Sequence, residues 1–210
     1  MPILQSRQAI KIIRLSVDLD QFPNLLVQHV RSSKIRTADV EQLGSKYIAG
    51  GFQHDQTMPF IEEVCRWGNY AGVSGKVRKN NKVKALADTF EASHQLIMQG
   101  KVQEAITKII EIKSLNVSFG SKHLKFLAPK HAVVLDSIIS EHLGYPRTKE
   151  GYAEFLQDCF GLRDILNAKG IRPSATQAKW RVSDVEMALF MEVKKRVPPK
   201  PRRARKKKKT

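Results

Sequence analysis

Apolar residues recur at spacings of three and four positions along much of the chain, a periodicity that indicates amphipathic helices. In the segment 82–98, the residues that share one face are Val83, Leu86, Ala87, Phe90 and Ile97. The segment 101–112 repeats the pattern, and Gly100 separates the two segments. Both segments are therefore predicted to be helical.

Two further helices are predicted in the C-terminal half. The segment 152–160 has an apolar face, and a last helix is expected to run from 183 through 193. Ser183 and Glu186 have the spacing of a capping box at the start of that helix. The alternation typical of strands is weak and is strongest at 10–17. We therefore predict an all-α fold.

Length and composition favour one compact domain. The chain has 210 residues, of which 41% are hydrophobic, so a sizeable core is expected. No apolar run approaches the roughly 20 residues that a membrane helix needs, and basic residues interrupt the apolar N-terminus, unlike a secretory signal. Cys65 and Cys159 lie far apart without a CxxC spacing, which disfavours a disulfide framework and a cysteine metal site. We expect an intracellular monomer with no membrane segment, metal or cofactor.

The excess of positive charge is concentrated at the C-terminus. The formal net charge is +17, and residues 194–210 carry eleven lysines and arginines, three prolines and no acidic residue. Such a run cannot bury an apolar face, so it predicts a disordered tail after a helical domain over 1–193. The domain itself keeps a charge of +6. A nucleic acid bound through its phosphates is the favoured partner; a solubilising or targeting segment is the alternative.

The segment 115–127 carries the first candidate chemistry and reads LNVSFGSKHLKFL. The pattern predicts that one helix ends near Ile112, that a tight turn containing Gly120 follows, and that Lys122 lies in the first turn of a new helix. Unpaired amides at such a helix start suit a phosphate. A lysine there opposes the helix dipole, which indicates a functional role. We therefore predict a helix-hairpin-helix over about 101–128.

A second segment follows the hairpin. Fourteen positions after Lys122, an apolar run ends at Asp136, directly before another predicted helix. Together these segments resemble the helix-hairpin-helix DNA glycosylases, in particular the 8-oxoguanine DNA glycosylase branch, over roughly residues 57–193. The chain would be a trimmed form that lacks the N-terminal sheet domain of the animal enzymes.

The resemblance depends on three short motifs. The hairpin of that family has an apolar-Gly-apolar-Gly-x-Lys pattern, and the corresponding residues here are Val117-Ser118-Phe119-Gly120-Ser121-Lys122. Ser118 thus replaces the first glycine. The segment Leu135-Asp136-Ser137 resembles the aspartate signature of the family. Glu186 and Phe190 have the order of the glutamine and phenylalanine that hold the extruded base in the family.

The resemblance implies a role for each of these residues. Lys122 would attack the C1′ carbon of an extruded nucleotide and form a Schiff base, which permits strand cleavage. Asp136 would stabilise positive charge on the sugar or help to activate Lys122. Glu186 would accept hydrogen bonds from a guanine-type edge, and Phe190 would stack on the base. The residues expected to contact DNA around the hairpin are Ser118, Gly120, Ser121, His123 and Lys125.

Each assignment has an ordinary structural alternative. Lys122 could bind a phosphate without reacting, Asp136 could be a helix N-cap, Glu186 could complete the capping box, and Phe190 could belong to the core.

For the whole chain, the favoured function is a DNA glycosylase with lyase activity that excises a modified purine. The alternative is a non-catalytic helix-hairpin-helix protein that binds DNA or RNA. Base excision repair and defence against modified phage DNA are both compatible with the hypothesis that the protein is a glycosylase.

Overall fold

The computed structural model describes residues 4–6, 9–12 and 15–196. A small antiparallel sheet of three strands precedes the helices in this part of the chain. The strands are β1 (Leu4–Ser6), β2 (Ala9–Ile12) and β3 (Leu15–Asp18), and a short 3-10 helix follows at Leu19–Gln21. The weak alternation at 10–17 therefore falls on β2 and β3.

Ten α-helices account for most of the described residues, which confirms the all-α prediction. They are α1 (Phe22–Ser32), α2 (Thr37–Ala49), α3 (His54–Trp67), α4 (Gly72–Asn80), α5 (Val83–Met98), α6 (Val102–Ile109), α7 (Val117–Leu127), α8 (Ser137–Leu143), α9 (Lys149–Ala168) and α10 (Val182–Arg196). The helices predicted from periodicity correspond to α5, α6 and α9, and the helix predicted from the capping-box spacing corresponds to α10. The last helix continues three residues into the segment predicted as a tail, and the rest of that tail lies outside the described residues.

The core lies around α7. Helices α2, α3, α5 and α6 pack against it, and every side chain from Ser121 to Leu127 is buried. Beside it, Tyr47 stacks on Phe60, with ring centroids 5.2 Å apart, and Phe90 meets Phe60 edge-on at 5.7 Å. A helix that is buried on all sides shows no amphipathic stripe, so its surroundings could not be read from periodicity.

The hairpin between α6 and α7 differs from the prediction. The connection between the two helices spans 110–116, and Asn116 caps α7 by accepting a hydrogen bond from the Phe119 amide at 3.2 Å. Gly120 is inside the helix, where its amide donates to the Asn116 carbonyl at 2.7 Å. A Cβ at Gly120 would lie 2.8 Å from Cγ2 of Ile109 on α6. This glycine therefore permits close helix packing and does not form the turn.

Lys122 is accordingly one turn further into the helix than predicted, and the amides of Gly120 and its neighbours are engaged in the helix.

In the part of the chain that the structure describes, no helix has the length and apolarity to cross a bilayer.

Candidate functional site

A cavity of about 250 Å³ opens between α1, the end of α3, α7 and α10. This volume is slightly below the roughly 300–1,000 Å³ of pockets for drug-sized ligands, so it suits a single small ring system. The four residues predicted to act in catalysis and base binding all line it: Lys122, Asp136, Glu186 and Phe190. They come from three separate stretches of the chain, which the fold brings together.

Lys122 places its amine at the wall of this cavity. Only 8% of its side chain is exposed, and its Nζ atom lies 3.7 Å from Oδ2 of Asp136. The amine also donates to the carbonyl oxygen and the hydroxyl of Ser118, at 3.3 and 3.4 Å. Burial lowers the pKa of Lys122, while the charges of Asp136 and Glu186 oppose that shift. A buried amine with a lowered pKa is neutral more often and so is a better nucleophile.

The absence of a side chain at Gly68 leaves space for the side chain of Lys122. This residue caps α3 at φ −72°, an ordinary conformation for any residue. A Cβ at this position would lie 3.2 Å from both Cδ and Cε of Lys122. The hydrogen at this position therefore lets the lysine stem lie directly against the backbone at the end of α3.

Asp136 is oriented by the start of α8. Its Oδ1 atom accepts hydrogen bonds from the amides of Ile138 and Ile139, at 3.0 and 3.1 Å. The other carboxylate oxygen faces Lys122. Asp136 is thus the N-cap of α8, which was the alternative interpretation of this residue. It is also the charged partner of the candidate nucleophile.

Glu186 does not belong to a capping box. The residue that reaches back at the start of α10 is Asp184, whose Oδ2 accepts from the Arg181 amide at 3.1 Å. Glu186 is 2% exposed and lines the cavity. Its Oε2 atom lies 3.9 Å from Nζ of Lys125, and neither atom has a hydrogen-bond partner among the described residues. Burial raises the pKa of Glu186, and the Lys125 ammonium opposes that change.

Four of the residues predicted to contact DNA, Gly120, Ser121, His123 and Lys125, are buried in the structure. Their contact with DNA stays a prediction. His123 packs between aromatic rings of the core, and its Nδ1–H donates to the Phe119 carbonyl at 2.7 Å. The Ser121 hydroxyl accepts from the Leu135 amide at 3.1 Å and so ties α7 to the segment before Asp136.

Two members of the hairpin set, Lys125 and Ser118, support the site from within. Lys125 is completely buried, with its ammonium 4.5 Å from the centre of the Trp67 ring. Ser118 is half-buried and contacts the Lys122 amine. Of the hairpin motif, Lys122 lines the cavity, and Ser118 and Lys125 each lie beside a residue that lines it.

Several residues of the cavity were missed by the sequence analysis. His29 and Trp67 form part of its wall, and Lys34 and Lys194 are exposed at its mouth. The ring of Phe190 meets His29 edge-on, with centroids 5.8 Å apart. His29, Lys34 and Trp67 belong to segments that carry no motif, so only the three-dimensional arrangement identifies them, whereas Lys194 belongs to the basic segment predicted to bind nucleic acid.

Metal and thiol chemistry have no support in the described residues. No three His, Cys, Asp or Glu side chains in this part of the chain cluster as metal ligands. Cys65 and Cys159 are free and buried, and burial raises the pKa of both thiols. A buried thiol with a raised pKa is unreactive.

Comparison of the chain with protein-family models, curated proteins and solved structures finds no match. The cavity and its chemistry are therefore the basis on which a function is inferred.

Proposed function

We propose that the protein is a DNA glycosylase with lyase activity that excises a modified purine of the 8-oxoguanine type. The observation that carries this proposal is the pairing of Lys122 with Asp136 at the wall of the cavity, with Nζ and Oδ2 3.7 Å apart. A buried amine with a lowered pKa beside an oriented carboxylate is an arrangement suited to nucleophilic catalysis.

The proposed reaction begins with the neutral Lys122 amine. Its nitrogen lone pair attacks C1′ of an extruded nucleotide, the bond between C1′ and the base breaks, and the base departs with that electron pair and takes up a proton. The secondary ammonium loses a proton, the C1′–O4′ bond breaks as O4′ takes up a proton, and an iminium ion joins Nζ to C1′. Loss of a proton from C2′ and departure of the 3′ phosphate with the electrons of the C3′–O bond then cleave the strand, and water hydrolyses the iminium ion to release the enzyme.

Asp136 has two tasks in this scheme. Its carboxylate stabilises the positive charge that develops on the sugar as the base leaves, because a fixed charge in a water-poor cavity needs no reorganisation. It also forms an ion pair with Lys122 when that amine is protonated. The amides of α8 hold one of its oxygens, so the other stays directed at the amine.

The cavity also offers groups for the base. Chemistry on C1′ requires that the nucleotide leave the stack, and the extruded base must then be held. The Glu186 carboxylate has two acceptor oxygens, which suit the N1–H and N2–H donors of a guanine-type edge. Phe190 supplies an aromatic face for stacking.

DNA would be held by cations at the mouth of the cavity. Lys34 and Lys194 are exposed there and come from the loop after α1 and from α10. Lysines at such positions bind phosphates in a sequence-independent and salt-dependent way. The basic segment after α10 extends the same positive charge along the chain.

Single-turnover incision of a duplex that contains 8-oxoguanine tests this function. The wild-type protein should release the base and cleave the strand, Lys122→Gln should do neither, and Lys113→Gln, at an exposed lysine of the hairpin turn, should match the wild type. Lys122→Gln should keep most of the DNA affinity, because the phosphate contacts are made elsewhere. Tight DNA binding without incision of 8-oxoguanine, other modified purines or abasic sites would favour the non-catalytic binding protein.

A further inference from the structure

His29 is a buried polar side chain in the cavity wall that the proposed chemistry at C1′ does not use. It lies on α1, is 6% exposed, and lines the same cavity as Lys122 and Glu186. Its Nδ1 atom is buried and has no hydrogen-bond partner among the described residues. An unpaired buried polar atom costs free energy, and in a cavity wall it indicates a group that a ligand completes.

Two aromatic rings fix the orientation of this imidazole. Phe190 meets it edge-on at 5.8 Å, and Trp67 lies at 6.4 Å with a tilt of 43° between the ring planes. These contacts hold the ring without using its nitrogens. His29 is therefore preorganised for a hydrogen bond that the described part of the chain does not supply.

Glu186 lines the same cavity and carries a second buried polar atom without a partner among the described residues. It lies on α10, which packs along α1, and its Oε2 has no hydrogen-bond partner among the described residues. Lys125 lies beneath it and favours the ionised carboxylate. The packing of α1 against α10 thus brings one imidazole and one carboxylate, each incompletely bonded, to a cavity of single-base size.

The charge of the imidazole is also fixed by its surroundings. Burial and the positive charges of Lys125 and Lys194 lower the pKa of His29 to about 3. The ring is therefore neutral at physiological pH and carries one N–H donor and one acceptor nitrogen. A neutral imidazole can donate to a carbonyl oxygen of a base without adding charge to the cavity.

We propose that His29 is a base-reading residue, whose ring N–H donates to the O6 atom of a guanine-type base while Glu186 accepts from the N1–H and N2–H groups of the same base. This inference rests on the proposed function, because it names the edge that the site recognises. Three adjacent groups of guanine are then satisfied in the order acceptor, donor, donor. Adenine presents a donor where guanine has O6 and an acceptor at N1, so this pair of residues rejects it.

His29→Phe tests the proposal, because phenylalanine keeps the aromatic packing and removes the hydrogen bond. Single-turnover excision of 8-oxoguanine should fall about tenfold, the size expected for one lost hydrogen bond. Borohydride trapping on an abasic-site duplex should remain at the wild-type rate, since no base needs to be read there. His29→Gln, which keeps a side-chain N–H, should recover part of the excision rate, and His54→Phe, at an exposed histidine of α3, should match the wild type.

Binding of the free base gives a readout that does not depend on catalysis. 8-Oxoguanine titrated into the wild-type protein should shift the NMR signals of the His29 ring, and adenine should not. His29→Phe should weaken 8-oxoguanine binding by the same factor as excision.

The possible failures are distinguishable. If His29→Phe lowers excision and abasic-site trapping equally, or lowers neither, His29 is structural and the inference is wrong. The inference is also wrong if neither 8-oxoguanine nor adenine binds the wild-type protein. If the wild type binds 8-oxoguanine through His29 but neither excises it nor forms an adduct, the proposed reaction fails while the base-reading role stands.

Discussion

At the scale of single residues, the site depends on how closely Lys122 is held. Its stem lies against Gly68, its amine contacts Ser118, and Asp136 faces it at 3.7 Å. None of these contacts is made by a large flexible side chain. A small displacement of the amine should therefore affect the reaction more than it affects folding.

Gly68→Ala is predicted to impair the reaction while leaving the fold intact. The new methyl group would displace Lys122, and we expect the rate of Schiff-base formation to fall by roughly ten- to hundredfold. The backbone at Gly68 suits alanine, so the free energy of unfolding should change little. Gly72→Ala, where nothing lies within 4 Å of a new Cβ, is the matched control. Unchanged trapping on an abasic-site duplex would show that the Gly68 contact does not position the nucleophile.

Glu186→Gln is predicted to separate base reading from activation of the nucleophile. The negative charge of Glu186 raises the pKa of Lys122 against the effect of burial. Removing that charge should lower the pKa of Lys122 further, so a larger fraction of the amine is neutral at a given pH. The rising limb of the pH profile for abasic-site trapping should then move to lower pH, while 8-oxoguanine excision falls. Glu141→Gln, at an exposed residue of α8, should leave both unchanged; a shift to higher pH would contradict the electrostatic coupling.

Sequence motifs located four residues of the cavity but could not assign the roles of their neighbours. Lys122, Asp136, Glu186 and Phe190 stand in recognisable short patterns, and the fold brings them to one cavity. His29 was not predicted, because it belongs to a helix without a motif and enters the site only through packing. Lys125 was predicted to face DNA because a lysine is ordinarily solvated, whereas here a buried carboxylate and an indole ring surround it.

At the scale of helices, α7 is the element on which the site is built. It carries Lys122 on the side of the cavity and is otherwise enclosed by neighbouring helices. Two glycines allow α6 and α2 to pack closely against α7. Gly120 faces Ile109 of α6, and a Cβ at Gly44 of α2 would collide with the carbonyl oxygen of Phe126.

Gly44→Ala is predicted to destabilise the protein by about 1–3 kcal/mol, because the added methyl group meets backbone of α7 that cannot rotate away. Gly75→Ala serves as the control, since that glycine lies inside α4 with nothing within 4 Å of a new Cβ. Alanine has the higher helix propensity, so the control should gain up to about 1 kcal/mol. Urea unfolding measures both changes; equal stability of the two variants would show that the α2–α7 contact tolerates expansion.

Several helices were predictable and the hairpin turn was not. Apolar periodicity located α5, α6 and α9 because each has exposed residues on one face, whereas α10, which is buried from Val182 to Leu189, was located by its capping-box spacing. Gly120 was interpreted as a turn residue, since glycine is common in turns, but its role depends on the proximity of Ile109. That proximity is a property of two helices in space and leaves no local signal in the sequence.

At the scale of the whole molecule, the burial of neutral histidines makes stability depend on pH. Burial lowers the pKa of His123 from 6.5 to about 4. The unfolded chain therefore binds more protons than the folded protein between those values. This contribution to stability is complete above about pH 6.5 and is lost as the pH falls towards 4.

His123→Phe is predicted to weaken this acid sensitivity. Phenylalanine suits the space between Phe60 and Phe90 and does not titrate. Between about pH 7 and about pH 5, the wild type should lose roughly 2 kcal/mol more stability than the variant. Urea unfolding at the two pH values measures the difference, and parallel losses in both proteins would contradict it.

The decisive measurement is the location of the covalent adduct. Borohydride reduction during reaction with an 8-oxoguanine duplex should freeze the Schiff base, and mass spectrometry of the digested adduct identifies the modified amine. We predict a single modified residue, Lys122, and no adduct with Lys122→Gln on either the 8-oxoguanine or the abasic-site duplex. An adduct at another amine, or undiminished trapping by Lys122→Gln, would contradict the assignment of Lys122 as the nucleophile.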